Sequence, residues 1–431
     1  MPETRIEKVR GRRVWDSRGR PTVEAEVHCA DGSMGRAIAP AGASRGSREA
    51  VDLRDGGKAF GGLDVGAAIA NVNGEIAERL VGMDACEQAA LDTALAALDG
   101  TPNKSRLGGN ATIAVSLAAL QAAAATQGQP LWQYLARDNE VALPLPQVQI
   151  FGGGIHAGGR IDIQDLMVMP LGAWDFAAAC GMAAEVYRAA GELMRSKRKL
   201  AGVADEGGWW PDFSSNEEAL ETLLQAIEAA GFRPGEDVAI ALDVAASQFC
   251  SGSGNARRYR FGLEQREFDS DGLIEVLLRW HERFPIASIE DPLAEDDAAG
   301  MQAFTKAAAK RIQIVGDDYL VSNAELVTQA AADRACNAVL IKPNQAGTVT
   351  EAKAALDAGK QAKFGTIVSA RSGESEDTAI VHLAVGWNAG QLKVGSFARS
   401  ERLAKWNEAL RIEEAIGHGA QFAGRRALAR G

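Results

Sequence analysis

Residues 338–372 read AVLIKPNQAGTVTEAKAALDAGKQAKFGTIVSARS, with a short apolar run at each end and a helical pattern between them. The runs AVLI and TIVS are apolar at consecutive positions, as in strands that are buried on both faces. The segment VTEAKAALDAG carries its apolar residues at helical spacing. A strand, a helix and a second strand in this order predict a parallel pair of strands with a helical crossover.

The same alternation continues through the chain from about residue 141 onward. Further apolar runs are VAIALDV (238–244), IASIED (286–291), IQIVGDD (312–318) and LKVGS (392–396). Helical patterns such as NEEALETLLQAIEAAG (216–231) separate these runs. So many strand and helix units in succession predict an α/β barrel.

The N-terminal part of the chain has a different pattern. TVEAEVHC (22–29) alternates apolar and polar residues, which predicts antiparallel strands. Residues 67–98 and 111–135 then show helical spacing. We therefore expect two domains: a sheet followed by helices in residues 1–138, and the barrel in residues 139–431.

Composition excludes several classes of function. A net charge of -11 does not fit nucleic-acid binding, which needs clustered lysine and arginine. The five cysteines never occur as C-x-x-C, so neither a disulfide framework nor a zinc site is expected, and the reducing cytoplasm is the expected location. No apolar tract is suited to a signal peptide or a membrane span.

Charged residues recur at the ends of the predicted strands. They are Asp243, Glu290, Asp317, Lys342, Arg371 and Lys393. In a barrel of this kind the C-terminal ends of the strands form the active-site face, so these side chains should converge there. Asp243, Glu290 and Asp317 offer only oxygen ligands, which favours Mg²⁺ over zinc or copper. The alternative, that each acid only pairs with a neighbouring lysine or arginine, is weaker for three acids in register.

Lys342 is the candidate base. An ammonium group near a divalent cation and near Lys393 should have a lowered pKa, and a neutral lysine can accept a proton. A salt bridge from Lys342 to one of the acids is the alternative interpretation. A metal beside a lysine base suits removal of a proton next to a carboxylate.

Elimination of a hydroxyl group also needs an acid. Glu206 in VADEGGWWP is the main candidate, with His156 in FGGGIHAGG and Asp165 in IDIQDLMVMP as neighbours. A capping acid, a loop histidine and a solvated strand-end aspartate are the respective alternatives. The small-residue segment APAGASRGSREAVDLRDGG (39–57) could be a flap over an anion or an ordinary surface loop.

The chain resembles the enolase family over nearly its whole length. The motifs that carry the resemblance are DSRGRPTVE, GASRGSREA, DEGG, SIEDPL, VGDD, KPNQAGT, RSGESED and ARSER, in the family's order. A lysine base beside magnesium is itself a known arrangement of enolase-superfamily sites. The resemblance implies an α+β cap domain on an enolase-type (β/α)8-like barrel, usually in a homodimer or larger homo-oligomer. It also implies dehydration of 2-phosphoglycerate to phosphoenolpyruvate with two Mg²⁺ ions, the second arriving with substrate.

The resemblance assigns roles to individual residues. The ligands of the first Mg²⁺ would be Asp243, Glu290 and Asp317. Lys342 would take the C2 proton, and Glu206, near His156 and Asp165, would assist loss of the C3 hydroxyl.

The remaining roles concern substrate binding. Lys393 would hold the substrate carboxylate, while Arg371 and Ser372 would hold the phosphate. Ser44 would help bind the second Mg²⁺, and Gly42 lies in the same substrate-binding loop.

Several positions depart from the family pattern. They are Ala370 in place of histidine, Asp165 in place of glutamate, Ala41 and Arg45 in AGASR, and Trp209 and Trp210 in GGWWP. Ala370 opens volume beside Arg371, and Arg45 adds a cation that can bind a carboxylate through two hydrogen bonds. The pair suggests a larger and more acidic group than phosphate. Resemblance to enolase relatives of phosphonate antibiotic biosynthesis then implies a glycerate whose 2-oxygen bears a carboxyphosphonate, which would give carboxyphosphonoenolpyruvate. The alternatives are an ordinary glycolytic enolase and a catalytically inactive relative that acts as a binding protein. The retained metal-binding acids, Lys342, Lys393 and Glu206 argue against an inactive relative.

Overall fold

The alternating N-terminal segment forms a three-stranded antiparallel sheet. In the computed structural model, which describes residues 4–429, its strands are β1 (Ile6–Trp15), β2 (Pro21–Cys29) and β3 (Met34–Ile38), in that order. The helix Gly109–Thr126 covers this sheet and is buried along most of its length, as expected for a helix that is apolar on every side. A Cβ at Gly35 would overlap the backbone of that helix at Ala118, so glycine permits the close approach.

The predicted helical spacing of residues 67–98 and 111–135 corresponds to several shorter helices. They span Gly66–Asn71, Ala77–Leu80, Gln88–Asp99, Gly109–Thr126 and Leu131–Ala136, with a π-helical turn at Val72–Ile76. The chain leaves helical geometry at Gly82 and Gly128, both with positive φ, and Pro130 precedes the last helix. Glycine and proline therefore divide a continuous helical pattern.

Eight strands form a closed barrel. They are β4 (Leu145–Gly152), β5 (Asp165–Met169), β6 (Ala239–Asp243), β7 (Ile286–Glu290), β8 (Gln313–Gly316), β9 (Ala338–Ile341), β10 (Gly365–Ser369) and β11 (Gly390–Gly395). Neighbours in sequence are neighbours in the barrel, and β11 closes it by pairing with β4. The fold is thus α/β with an N-terminal sheet and helices before the barrel.

One strand departs from the parallel direction that the alternation of strands and helices predicts. β5 runs antiparallel to both β4 and β6. The connection from β4 to β5, residues 153–164, contains one 3₁₀ turn and no α-helix, whereas a parallel crossover usually contains an α-helix. Reversal of β5 places its first residue, Asp165, opposite Asp243 at the C-terminal end of β6.

The remaining elements surround the barrel. The helices are Phe176–Ser196, Asn216–Ala229, Ser270–Arg283, Ala298–Ala308, Ala324–Asp333, Pro343–Ala346, Val349–Gln361, Ala379–Gly386 and Ser400–Ile416. Short strands occur at Ala142–Leu143, Cys250–Ser251, Arg258–Phe261, Arg266–Phe268 and Gln421–Phe422. Single 3₁₀ turns lie at Ala59–Gly62, Gly154–Ala157, Ala246–Phe249, Gly254–Ala256, Gly417–Gly419 and Gly424–Ala427. Of the helices within residues 4–429, none has both the length and the apolar character to cross a membrane.

Candidate active site

Three acids from successive strands meet at one end of the barrel. Asp243 and Glu290 are the last residues of β6 and β7, and Asp317 directly follows β8. One carboxylate oxygen from each lies within 4.8 Å of the others, and all three side chains are buried. The strand ends therefore bring together the residues predicted to hold a metal.

The ammonium group of Lys393, on β11, contacts this cluster. Its Nζ donates to Asp243 Oδ2 at 2.8 Å and to both Glu290 carboxylate oxygens at 2.9 Å, and it lies 3.4 Å from Asp165 Oδ2. Burial lowers the pKa of Lys393, but the carboxylates of Asp243 and Glu290 outweigh burial and raise it well above its usual value. Lys393 is therefore a fixed cation.

Lys342, which follows β9, contacts the third acid. Its Nζ donates to Asp317 Oδ2, and Gln345 Nε2 donates to Asp317 Oδ1 at 3.0 Å. Burial lowers the pKa of Lys342, yet Asp317 outweighs burial and the pKa is raised. The contact with Asp317 is the salt bridge that the alternative interpretation of Lys342 described, and the expected lowering of the pKa is not found.

The donor set fits a hard divalent cation. All three acids offer oxygen ligands, as Mg²⁺ prefers. Burial and the nearby charge of Asp243 raise the pKa of Glu290 well above its usual value, because the buried carboxylates repel one another. Two lysines face three acids, so added positive charge would relieve this repulsion.

Glu206, His156 and Asp165 form a second buried cluster beside the acids. The nearest oxygen of Glu206 lies 3.9 Å from Nε2 of His156, and Oδ1 of Asp165 lies 3.3 Å from Nδ1. Burial raises the pKa of Glu206 despite the opposing effect of His156. Burial lowers the pKa of His156, but Glu206 and Asp165 outweigh it, so the pKa is raised. Glu206 is thus placed to carry a proton.

Asp165 reaches His156 although its side chain is shorter than the glutamate of the family pattern. Gln149 on β4 donates to Asp165 Oδ1 and accepts from the backbone N–H of Gly208 at 2.8 Å. Burial raises the pKa of Asp165, but Lys393 and then His156 outweigh it, so the pKa is lowered. Asp165 is therefore an anion that orients the imidazole. The role of Gln149 was not predicted.

The glycine-rich N-terminal loop lies on the barrel next to Arg371. Ala41 pairs with Gly373 through two backbone hydrogen bonds, and the Ala43 N–H donates to Ser372 Oγ at 2.7 Å. Arg371 Nη2 donates to the backbone oxygen of Ser44 at 2.9 Å. These contacts hold residues 41–44 against Arg371 and Ser372, and the segment 39–57 is called the flap below.

Arg371 has an unpredicted partner. Its Nη1 and Nη2 donate to the two carboxylate oxygens of Glu49 at 2.8 and 3.3 Å. Both side chains are buried. Glu49 lies within the motif GASRGSREA, but nothing in the sequence pairs it with a residue 322 positions away.

Two departures from the family pattern, Ala370 and Arg45, differ in their exposure to solvent. Ala370 is buried, and its N–H donates to the backbone oxygen of Lys393 at 2.9 Å. The side chain of Arg45 is 52% exposed, and its Nη1 lies 4.0 Å from Oδ2 of Asp52.

The two tryptophans after Glu206 pack against other parts of the chain. Trp209 stacks on Tyr187 with ring centroids 4.5 Å apart and donates from Nε1 to the Tyr187 backbone oxygen at 2.8 Å. The Arg160 guanidinium lies over Trp210, 5.6 Å from the ring centroid. Trp209 is therefore packed against the helix Phe176–Ser196, which contains Tyr187.

Family models cover both parts of the chain. Residues 140–430 match the model described as enolase, C-terminal TIM barrel domain, and residues 6–135 match enolase, N-terminal domain. Of the three acids at the barrel end, Glu290 lies in the motif SIEDPL and Asp317 in the motif VGDD. The chain therefore belongs to the enolase family.

Proposed function

We propose that the protein is a Mg²⁺-dependent dehydratase of the enolase type. It removes the C2 proton of a 2-phosphoglycerate-like acid and eliminates the C3 hydroxyl to give an enol product. The observation that carries the proposal is the convergence of Asp243, Glu290 and Asp317 with Lys342 directly on the cluster. Membership of the enolase family supports the same class of magnesium-dependent lyase.

The three acids would hold one Mg²⁺, and Ser44 with the substrate phosphate would hold a second. Bound magnesium supplies positive charge that stabilises the carboxylate when the adjacent carbon loses its proton. Lys393 lies where it can bind one oxygen of the substrate carboxylate. Lys342 would act as the base in its neutral form, in which Nζ has a free electron pair for the C2 proton.

Glu206 is the acid of the second half of the reaction. Lys342 takes the C2 proton, and the electron pair of the C2–H bond is first delocalised into the carboxylate. It then forms the C2–C3 double bond as the bond between C3 and the hydroxyl oxygen breaks. The C3 hydroxyl leaves as water with the proton of Glu206. His156, 3.9 Å from Glu206 and held by Asp165, positions the acid.

The phosphate or phosphonate group would bind at Arg371 and Ser372, with Gly42 beside them. A Cβ at Gly42 would overlap Nη2 of Arg371, so only glycine fits there. The wider proposal is a cytoplasmic homodimer or larger homo-oligomer. Its cap domain is residues 1–138 and its catalytic barrel residues 139–431.

A modified substrate is favoured by Ala370. This buried side chain ends at Cβ where the family pattern has an imidazole, so it takes up less volume beside Arg371 than the family residue would. A glycerate with a carboxyphosphonate on its 2-oxygen, giving carboxyphosphonoenolpyruvate, would use that volume. Arg45 supports this less directly, because it must turn from Asp52 to meet the extra carboxylate. Ordinary 2-phosphoglycerate remains the second candidate, since the acids, Lys342, Lys393 and Glu206 are all present.

The test compares the two substrates on purified protein with Mg²⁺. Enol formation from 2-phosphoglycerate is followed by ultraviolet absorbance, and turnover of the carboxyphosphonate analogue by phosphorus NMR. We expect the wild type to prefer the analogue, and the double variant Arg45→Thr, Ala370→His to gain activity on 2-phosphoglycerate. Turnover of 2-phosphoglycerate by the wild type at ordinary enolase rates would overturn the specialised substrate. If neither substrate reacts and Mg²⁺ gives no thermal stabilisation, the protein is a catalytically inactive relative.

A further inference from the structure

The guanidinium group of Arg371 is held by three acceptor residues from two parts of the chain: Glu49 and Ser44 in the N-terminal loop, and Asn344 shortly after β9. We propose that Glu49 is a positioning residue that fixes the orientation in which Arg371 presents itself to the anionic group of the substrate. This inference rests on the proposed role of Arg371 in binding phosphate or phosphonate. Glu49 itself does not touch the substrate in this proposal.

The hydrogen bonds of Arg371 define its orientation. Nη1 donates to Glu49 at 2.8 Å and to Asn344 Oδ1 at 3.2 Å, and Nη2 donates to Glu49 at 3.3 Å and to the Ser44 backbone oxygen at 2.9 Å. These contacts use all four Nη hydrogens of a group that has five donors. Among the contacts within residues 4–429, none uses the Nε–H of Arg371. The two Nη groups are therefore anchored, and the Nε–H can donate to a ligand.

Glu49 is the strongest of these anchors. A carboxylate and a guanidinium match in a two-point geometry that also sets rotation of the planar group. Asn344 and Ser44 each contribute one hydrogen bond from a neutral oxygen. The exposed fractions of Arg371 and Glu49 are 3% and 7%, so removal of the carboxylate would leave a buried positive charge without its anionic partner.

The orientation of Arg371 is also coupled to the path of the flap. Glu49 and Ser44 lie on the same loop, and both contact Nη2 of Arg371. Gly42 packs against this atom so closely that no other residue fits. A rotation of the guanidinium would therefore displace the loop that carries Ser44.

The experiment compares Glu49→Gln, Glu49→Asp and the control Glu295→Gln with the wild type. Glu295 accepts from the Ser47 N–H at 3.0 Å in the same loop but is not a partner of Arg371, and glutamine keeps that acceptor. Binding of inorganic phosphate is measured by calorimetry, and kcat and KM are measured on whichever proposed substrate reacts. Circular dichroism and thermal melting establish that each variant is folded.

We expect Glu49→Gln to weaken phosphate binding and to raise KM roughly tenfold to a hundredfold, with a smaller change in kcat. Glu49→Asp keeps the charge, but its side chain is too short to make both contacts with Arg371, so we expect an intermediate loss of phosphate affinity. This variant also tests the proposal if Glu49→Gln fails to fold. Glu295→Gln should bind phosphate like the wild type.

Unchanged or tighter phosphate binding in Glu49→Gln would overturn the inference, because Glu49 would then act as a competing anion. An equal loss in Glu295→Gln would also overturn it, since general disturbance of the loop would explain both. Wild-type protein that binds phosphate but turns over neither substrate would contradict the proposed function and leave the comparison of variants valid. Failure of the wild type to bind phosphate would remove the role of Arg371 and this inference with it.

Discussion

At the level of single residues, the sequence predicts which charges meet but not how they pair. Asp243, Glu290 and Asp317 were predictable because each ends a buried strand, and the ends of parallel strands share one face. The pairing of Arg371 with Glu49 was not, because it joins the N-terminal loop to a barrel strand end across 322 positions. No local sequence pattern predicts a contact between residues so far apart in the chain.

Substitution of the predicted acid tests the residue scale. Glu206→Gln keeps the size of the side chain but cannot donate a carboxylic proton, so we expect kcat to fall by roughly 10²-fold to 10⁴-fold with a small change in KM. Steady-state kinetics at saturating Mg²⁺ measure both. Asp205→Asn, at the neighbouring and more exposed position, is the matched control and should retain activity. An unchanged kcat in Glu206→Gln would show that another group supplies the proton.

At the level of elements, most strands were predictable and the direction of one was not. The apolar runs at 238–244, 286–291 and 312–318 became β6, β7 and β8. β5 has the same apolar character, so its pattern does not show its direction. The only signal was the glycine-rich connection before it, which contains no segment of helical spacing that could form a crossover.

The helix Asn216–Ala229 offers a prediction about pH and stability. Ser215 Oγ accepts from the Glu218 N–H at 3.0 Å, and Glu218 accepts from the Ser214 N–H at 2.8 Å and from Lys199. Burial raises the pKa of Glu218, but the hydrogen bonds from Lys199 and Ser214 outweigh it and lower the pKa to about 2. Because the pKa of Glu218 is lower in the folded protein than in the unfolded chain, the ionised carboxylate stabilises the folded state at pH values above the ordinary pKa of 4.5. This stabilisation is lost as the pH falls toward about 2.

Urea denaturation at pH 6 and pH 3 measures this effect. Glu218→Gln should lower stability at pH 6 and reduce the further loss on going to pH 3, because the variant has no carboxylate to protonate. Glu228→Gln, an exposed position on the same helix, should keep the wild-type acid sensitivity. Equal acid sensitivity in Glu218→Gln and the wild type would contradict the assignment of this pH dependence to the helix start.

At the level of the whole molecule, the site depends on contact between the N-terminal region and the barrel. Buried Asp92 accepts from Ser116 Oγ at 2.5 Å and from the backbone N–H of Thr350 at 2.8 Å, which joins two N-terminal helices to a barrel helix. Two residues of the flap, Ser44 and Glu49, also belong to the N-terminal region and accept hydrogen bonds from Arg371 of the barrel. Composition and periodicity predict two folded regions, but the contact surface between them depends on three-dimensional shape.

The central claim is that Lys342 removes the C2 proton of a substrate beside a magnesium ion held by three barrel acids. Release of deuterium from C2-deuterated substrate into solvent water measures that step directly, whether or not elimination follows. With 2-phosphoglycerate or the carboxyphosphonate analogue, we expect Mg²⁺-dependent release by the wild type. Lys342→Ala should release deuterium at least about a hundredfold more slowly while retaining thermal stabilisation by Mg²⁺. Release by Lys342→Ala at the wild-type rate, or no release from either substrate by the wild type, would contradict the account.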